Sequence, residues 1–240
     1  MMSDAIRIYV GSDRRMGKAE RALAQSIREN TTGPVELNWM RAGDPGWDGV
    51  WNRARPDCFG NKPGEKPPRG GWHTEFSCFR YAIPETAGFK GRAMYMDVDM
   101  IVLKDFREVW TLPMKKPVMC PGPDNNRWDV ILFDCSMFRE RIKDWPSLKT
   151  MRSSGNKGMF YIHKVRPHTG FFDPEWDCVD KVDKRSKLVH FSAMRTQPWK
   201  PWPERFPYKG GHPCPPAVDL FWKFHDRGVD IGGESKTLIG

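Results

Sequence analysis

Residues 6–10 (IRIYV) form a short apolar, β-branched run that Gly11, Ser12 and Asp13 close, which predicts a buried strand and a turn. From Lys18 to Asn30, Ala19, Leu23 and Ile27 recur at i, i+4 and i+8, the spacing of one helix face. Gly33-Pro34 stops that helix, and 35–39 (VELNW) predicts a second strand. Strand, helix, strand is the grammar of a parallel sheet covered by helices. Residues 41–72, rich in Gly, Pro and charge, predict a long surface loop. Thr74 is placed to cap a helix running to about Ala82, with Phe76, Phe79 and Ile83 inward and Pro84 at its end.

Two apolar runs follow, 93–96 and 100–103, separated by Asp97-Val98-Asp99. Residues 117–120, 129–133 and 187–191 predict further strands, and 137–164 is partly helical. The stretch 198–240 opens on a Trp/Pro-rich tail. It then carries a helix near 216–227 with Val218, Phe221, Trp222 and His225 on one face. No linker divides the chain. The expectation is one α/β domain over 1–240, with a mixed, mostly parallel sheet flanked by helices.

Composition narrows the function classes. Of 240 residues, 39% are hydrophobic and 12% aromatic, too much apolar surface for a disordered chain. The 22 Gly and 21 Pro have no period, which excludes collagen-like architecture. No run approaches the ~18 apolar residues of a membrane span. The opening MMSDAIRIYV lacks an apolar core of signal-peptide length, so a cytoplasmic protein is expected, with peripheral membrane contact left open. The six cysteines form no C-x-x-C pair and read as free thiols. A net charge of +9 suits an anionic ligand or nucleic acid, but no nucleic-acid-binding motif accompanies it.

The chemistry sits at Asp97 and Asp99. Two carboxylates one residue apart in extended chain point to the same side. Between apolar flanks they are costly unless a positive charge joins them, and hard divalent cations prefer such oxygens. Arg80, 17 residues upstream, reads as lying on the helix face opposite the core positions, where its fork suits diphosphate or ribose oxygens. His190, after the strand Lys187–Val189, offers a neutral imidazole as a third ligand. A surface helix arginine and a capping or core histidine are the plainer readings of these two residues.

Four stretches in this order resemble the family 8 nucleotide-sugar glycosyltransferases of the GT-A (Rossmann-like) fold, the group of glycogenin and the lipopolysaccharide galactosyltransferases. They are IRIYVGSDRRMGKAERALAQSI, TEFSCFRYAIP, AMYMDVDMIVLKDFREVW and VHFSAMRTQPWKPW. The third is very close to the family's metal motif. The resemblance implies a metal-dependent transferase that moves a sugar from a UDP-sugar to a glycan, lipid or protein acceptor, with retention. It implies Mn²⁺ or Mg²⁺ on Asp97, Asp99 and His190. It implies uracil at Asp13, backbone approach at Gly11 and Ser12, and donor contacts from Arg80 and Val98.

The departures are specific. Ala193 stands for the family's Gly. Either Gln197 fills the Lys slot beside the diphosphate, or Lys200 or Arg195 reaches it, with Lys200 preferred. Arg127-Trp128-Asp129-Val130 replaces Asn-x-Gly-Val, which puts Asp129 or Asn126 near the sugar. No Asp-Gln pair occurs between 150 and 165. The rival function is a catalytically degenerate, basic GT-A binding protein. A nucleotidyltransferase would need a more glycine-rich loop than Gly11-Ser12-Asp13-Arg14-Arg15. Trp47, Trp51, Trp72, Trp199 and Trp202 fall in predicted loops, where they either stack on sugar rings or anchor the loops.

Overall fold

A computed structural model describes residues 5–47, 50, 74, 76–123, 128–153, 164–193, 196–199 and 211–240. The first half runs β1 (Ile6–Asp13), α1 (Gly17–Asn30), β2 (Val35–Ala42), a 3-10 turn (Phe79–Ala82), α2 (Ile83–Thr86), β3 (Arg92–Asp97), β4 (Met100–Val102) and α3 (Arg107–Trp110). The second half runs β5 (Val118–Pro121), β6 (Val130–Asp134), α4 (Cys135–Arg141), α5 (Leu148–Ser153), β7 (Thr169–Phe172), β8 (Cys178–Val179), β9 (Leu188–His190), α6 (Pro215–Arg227) and β10 (Lys236–Ile239).

Seven strands form the main sheet in the order β10-β2-β1-β3-β6-β5-β7. β2, β1, β3, β5 and β7 point one way, while β10 and β6 oppose them. A second sheet, β4-β9-β8, leaves the first after β3. The apolar runs explain the order: Ile6, Ile8 and Val10 of β1 and Met94 and Met96 of β3 are wholly buried, as central strands covered on both faces require. Ala19, Leu23 and Ile27 of α1 face the core as their spacing predicts.

Several expectations are corrected. Gly11, Ser12 and Asp13 are not a turn; they continue β1, because pairing with β2 runs on to Asp13↔Ala42. Arg41 and Ala42 accordingly belong to β2 rather than to the 41–72 loop, most of which lies outside the described residues. The Thr74 helix is a turn followed by 3-10 geometry, and Pro84 opens α2 instead of ending a helix, where its missing N–H costs nothing. The buried line of α6 is Ala217, Phe221 and Phe224, rotated from the expected Val218–His225 face. β10 pairs antiparallel with β2 and β7 parallel with β5; neither strand was expected. The five described cysteines are free.

Candidate active site

The two sheets separate at the Asp97-Val98-Asp99 step. β3 ends beside β1, with Gly11 opposite Asp97, and Asp97 N donates to Asp129 O at 3.1 Å. The chain then bends, and β4 enters the small sheet with Met100 opposite His190. Phe191 N donates to Asp99 O at 2.9 Å. The continuous extended chain expected across Asp97–Asp99 is therefore broken by a bend. Its effect is to set Asp97 and Asp129 at the end of one sheet against Asp99 and His190 of the other. Each of these four residues is less than a tenth exposed.

Oxygens of Asp97 and Asp129 and a ring nitrogen of His190 lie within 4.8 Å of one another. Asp99 Oδ1 lies 3.5 Å from His190 Nε2 and has no hydrogen-bond partner among the described residues. Its other oxygen accepts from Gln197 Nε2 at 2.9 Å, and Gln197 Oε1 is likewise buried without a partner there. Gln197 thus turns its amide to the carboxylate. Lys200 and Arg195, the other candidates for the diphosphate position, lie outside the described residues.

Arg80 is not on an outward face. It is buried beneath the carboxylates, and every nitrogen of its fork is engaged. Nη2 lies 3.0 Å from both oxygens of Asp97, Nη1 2.9 Å from Asp129 Oδ1, and Nε 2.7 Å from Ser77 O. Nη1 also donates to Trp128 O. The Tyr95 hydroxyl donates to Asp97 Oδ1.

Titration follows from this crowding. Burial, helped by Asp129 and Asp99, pushes Asp97 up to about 7 despite Arg80 and the Tyr95 bond. Burial alone would lower His190. Asp99 and the hydrogen bond to Asp177, whose Oδ1 is 2.8 Å from Nδ1, instead raise it well above its ordinary value. A chain of net charge +9 thus gathers four aspartates around one arginine and one histidine.

The predicted nucleotide turn is tightly tied. Asp13 accepts from Arg15 N at 2.8 Å and from Arg15 Nε and Nη2 at 3.2 and 3.0 Å. Ser12 Oγ donates to Glu20 Oε1 at 2.6 Å, inside a buried Glu20–Arg41 pair. A Cβ on Gly11 would stand 2.3 Å from the Tyr95 hydroxyl, so the absent side chain admits Tyr95. Val98 N donates to Gly11 O at 3.0 Å, and its side chain is buried. Trp47 packs on Phe79, and Trp199 is a core anchor against Phe221; Trp51, Trp72 and Trp202 lie outside the described residues.

Sequence reasoning passed over Asp177 and gave Asp129 only a weak place near the sugar. The available signal for Asp129 was an acid set immediately before the apolar run Val130–Phe133, as Asp99 is set before Met100–Leu103.

No family model matches the chain. It is 30% identical over 119 residues to Protein CDI of Arabidopsis thaliana, an alignment covering 49% of this chain and 41% of that protein. The bifunctional glycosyltransferase WbbM superposes with a TM-score of 0.61 at 12% identity, over 94% of this chain and 50% of that one. The glycosyltransferase GlyE of Streptococcus pneumoniae gives 0.58 at 12%, over 92% and 60%. The galactosyltransferase LgtC, solved with donor and acceptor sugar analogues, gives 0.54 at 10%, over 94% and 97%. The chain spans about two fifths of the curated relative and about half to three fifths of the first two structures. It has the GT-A fold of these glycosyltransferases.

Proposed function

We propose that this chain is a cation-dependent glycosyltransferase. It moves a hexosyl group from a UDP-sugar to a glycan, lipid or protein acceptor, with retention, as one GT-A unit over 1–240 in a cytoplasmic setting. The observation that carries the reading is the buried group of Asp97, Asp129 and His190 at the step between the two sheets, at the carboxyl end of β3, with Asp99 Oδ1 3.5 Å from His190 Nε2. Open α/β sheets bind ligands at that end of their strands. Among the described residues, no helix is long and apolar enough to cross a membrane.

The donor set fits a hard divalent cation. It offers carboxylate oxygens and an imidazole, and one oxygen of Asp99 is buried without a hydrogen-bond partner among the described residues, which is costly for a carboxylate. Asp97, Asp99 and His190 would hold Mn²⁺ or Mg²⁺. When bound, the cation supplies positive charge to a departing diphosphate. Gly11, Ser12, Asp13 and Val98 form the base end of the donor site, and Lys200 serves the diphosphate end. Arg80 acts by holding Asp97 and Asp129 in place.

A catalytically silent donor-binding protein is the second reading. It draws on Arg80 and Asp13 being bound to protein partners instead of standing open to a donor.

Calorimetry of UDP with and without Mn²⁺, beside turnover of a panel of UDP-sugars, tests both readings. The transferase reading expects Mn²⁺-dependent UDP binding that Asp99→Ala abolishes, and release of UDP from at least one donor. Equal affinity without Mn²⁺ would defeat the first; binding without UDP release selects the second.

A further inference from the structure

Asp129 has no part in the cation set that the family resemblance implies, yet it stands with Asp97 and His190. Its Oδ2 is 3.6 Å from His190 Nδ1, and one oxygen each of Asp97 and Asp129 lies within 4.8 Å of a His190 nitrogen. A divalent cation held at about 2.1 Å in near-octahedral geometry brings neighbouring ligand atoms to roughly 3 Å and opposite ones to roughly 4.2 Å. With these three atoms within 4.8 Å of one another, the group's widest separation exceeds that spread by at most about 0.6 Å without any cation present.

What holds it there is Arg80, with Nη2 on Asp97 and Nη1 on Asp129. Arg80 Nη1 takes Oδ1 of Asp129, while Oδ2 is the oxygen turned to His190. Asp99 Oδ1, buried and without a hydrogen-bond partner among the described residues, faces His190 Nε2 at 3.5 Å from the other sheet and is an independent sign that a ligand belongs there.

We propose that Asp129 is a further carboxylate ligand, and that Asp97, Asp99, Asp129 and His190 form a preassembled divalent-cation site that fills without nucleotide. The inference rests on the cation reading of this site and goes beyond it in two respects, the extra ligand and independence from the donor. With a third carboxylate in place, the protein itself supplies the charge that a donor diphosphate would otherwise bring to the cation.

The test is titration of the nucleotide-free full chain with Mn²⁺, followed by calorimetry and by loss of the free-ion electron paramagnetic resonance signal. One Mn²⁺ is expected to bind wild-type protein without UDP. Asp129→Asn keeps an acceptor for Arg80 Nη1 but loses the charge, and is expected to weaken Mn²⁺ at least tenfold. Asp129→Glu, which keeps the charge, is expected to bind more tightly than Asp129→Asn; should Asp129→Asn fail to fold, Asp129→Ser, whose hydroxyl can still accept from Arg80 Nη1, takes its place, and wild-type affinity in Asp129→Ser overturns the assignment of Asp129. Unchanged affinity in Asp129→Asn, or wild-type binding only when UDP is present, overturns the proposal.

UDP binding and UDP-sugar turnover on the same samples keep the two readings apart. Turnover with no nucleotide-free Mn²⁺ binding removes this inference alone. Mn²⁺ binding that depends on Asp129, without UDP binding or turnover, removes the transferase reading alone.

Discussion

His190 Nδ1 lies 2.8 Å from Asp177 Oδ1, and the Asp177 side chain is sealed from solvent. A histidine that gives one ring N–H to a carboxylate has its orientation set and its other nitrogen left for a ligand. Here that nitrogen, Nε2, faces Asp99. Asp177→Asn should leave the fold intact, since the amide can still accept from Nδ1–H, but the imidazole loses its charged support. Mn²⁺ affinity is expected to fall about 10- to 100-fold. Titration with Mn²⁺ checks this, and the ring nitrogen shifts of His190 should move in the same variant.

The raised titrations give the protein an unusual response to pH. Asp97 rises from an ordinary 3.8 to about 7, so between those values the folded state binds more protons than the unfolded chain. Stability contributed by that proton is full below about 4 and is lost as pH rises towards 7. His190 is raised as well, so its stabilising proton is also lost as pH climbs through its folded value. A cation must displace both protons. Without Mn²⁺ the melting temperature should therefore decline from pH 5 to 8, while the increment produced by Mn²⁺ should grow over the same range. An increment independent of pH would contradict this linkage.

Arg80 is a buried guanidinium beneath the site, and its removal strands Asp97 and Asp129. Breaking a buried ion pair at one partner costs about 3–5 kcal/mol. Arg80→Ala is expected to be destabilised on that scale. Arg80→Lys should recover little, because one ammonium cannot serve Ser77 O, Trp128 O, Asp129 and Asp97 together. Mn²⁺ should raise the melting temperature of Arg80→Ala more than that of wild type, since the ion replaces the missing charge.

The order β1, α1, β2 could be read from the chain because Ile6, Ile8 and Val10 and then Ala19, Leu23 and Ile27 announce their own periods. Asp97 and Asp99 stood out because acids interrupt an apolar strand. The buried position of Arg80 and the place of Asp129 and Asp177 did not show, because pairing distant in sequence creates them. Met96↔Val130 carries Asp129 to Asp97, and Val179↔His190 brings the Asp177 segment beside the imidazole. Single-chain periodicity holds no record of such partners. In α6 the large side chains Trp222 and His225 drew the expected face towards themselves, while the smaller Ala217 sits innermost. β10 escaped notice because Lys236 and Leu238 are exposed on a four-residue edge strand.

Gly11 and Tyr95 are coupled by space. A methyl on Gly11 would meet the Tyr95 hydroxyl oxygen at 2.3 Å and a Phe76 ring carbon at 3.0 Å. Tyr95 is fully buried and bound to Asp97, so it has no free direction in which to retreat. Gly11→Ala should destabilise by about 1–3 kcal/mol, the usual cost of overpacking. It should also weaken Mn²⁺ binding, because moving Tyr95 disturbs the Asp97 carboxylate. Tyr95→Phe removes the closest clashing atom while keeping the ring. The double variant is therefore expected to be more stable than the sum of the two single changes by at least ~0.5 kcal/mol, a coupling that a double-mutant cycle on denaturant midpoints would measure. Strict additivity would mean that Gly11 is required by its backbone and not by the tyrosine that fills its place.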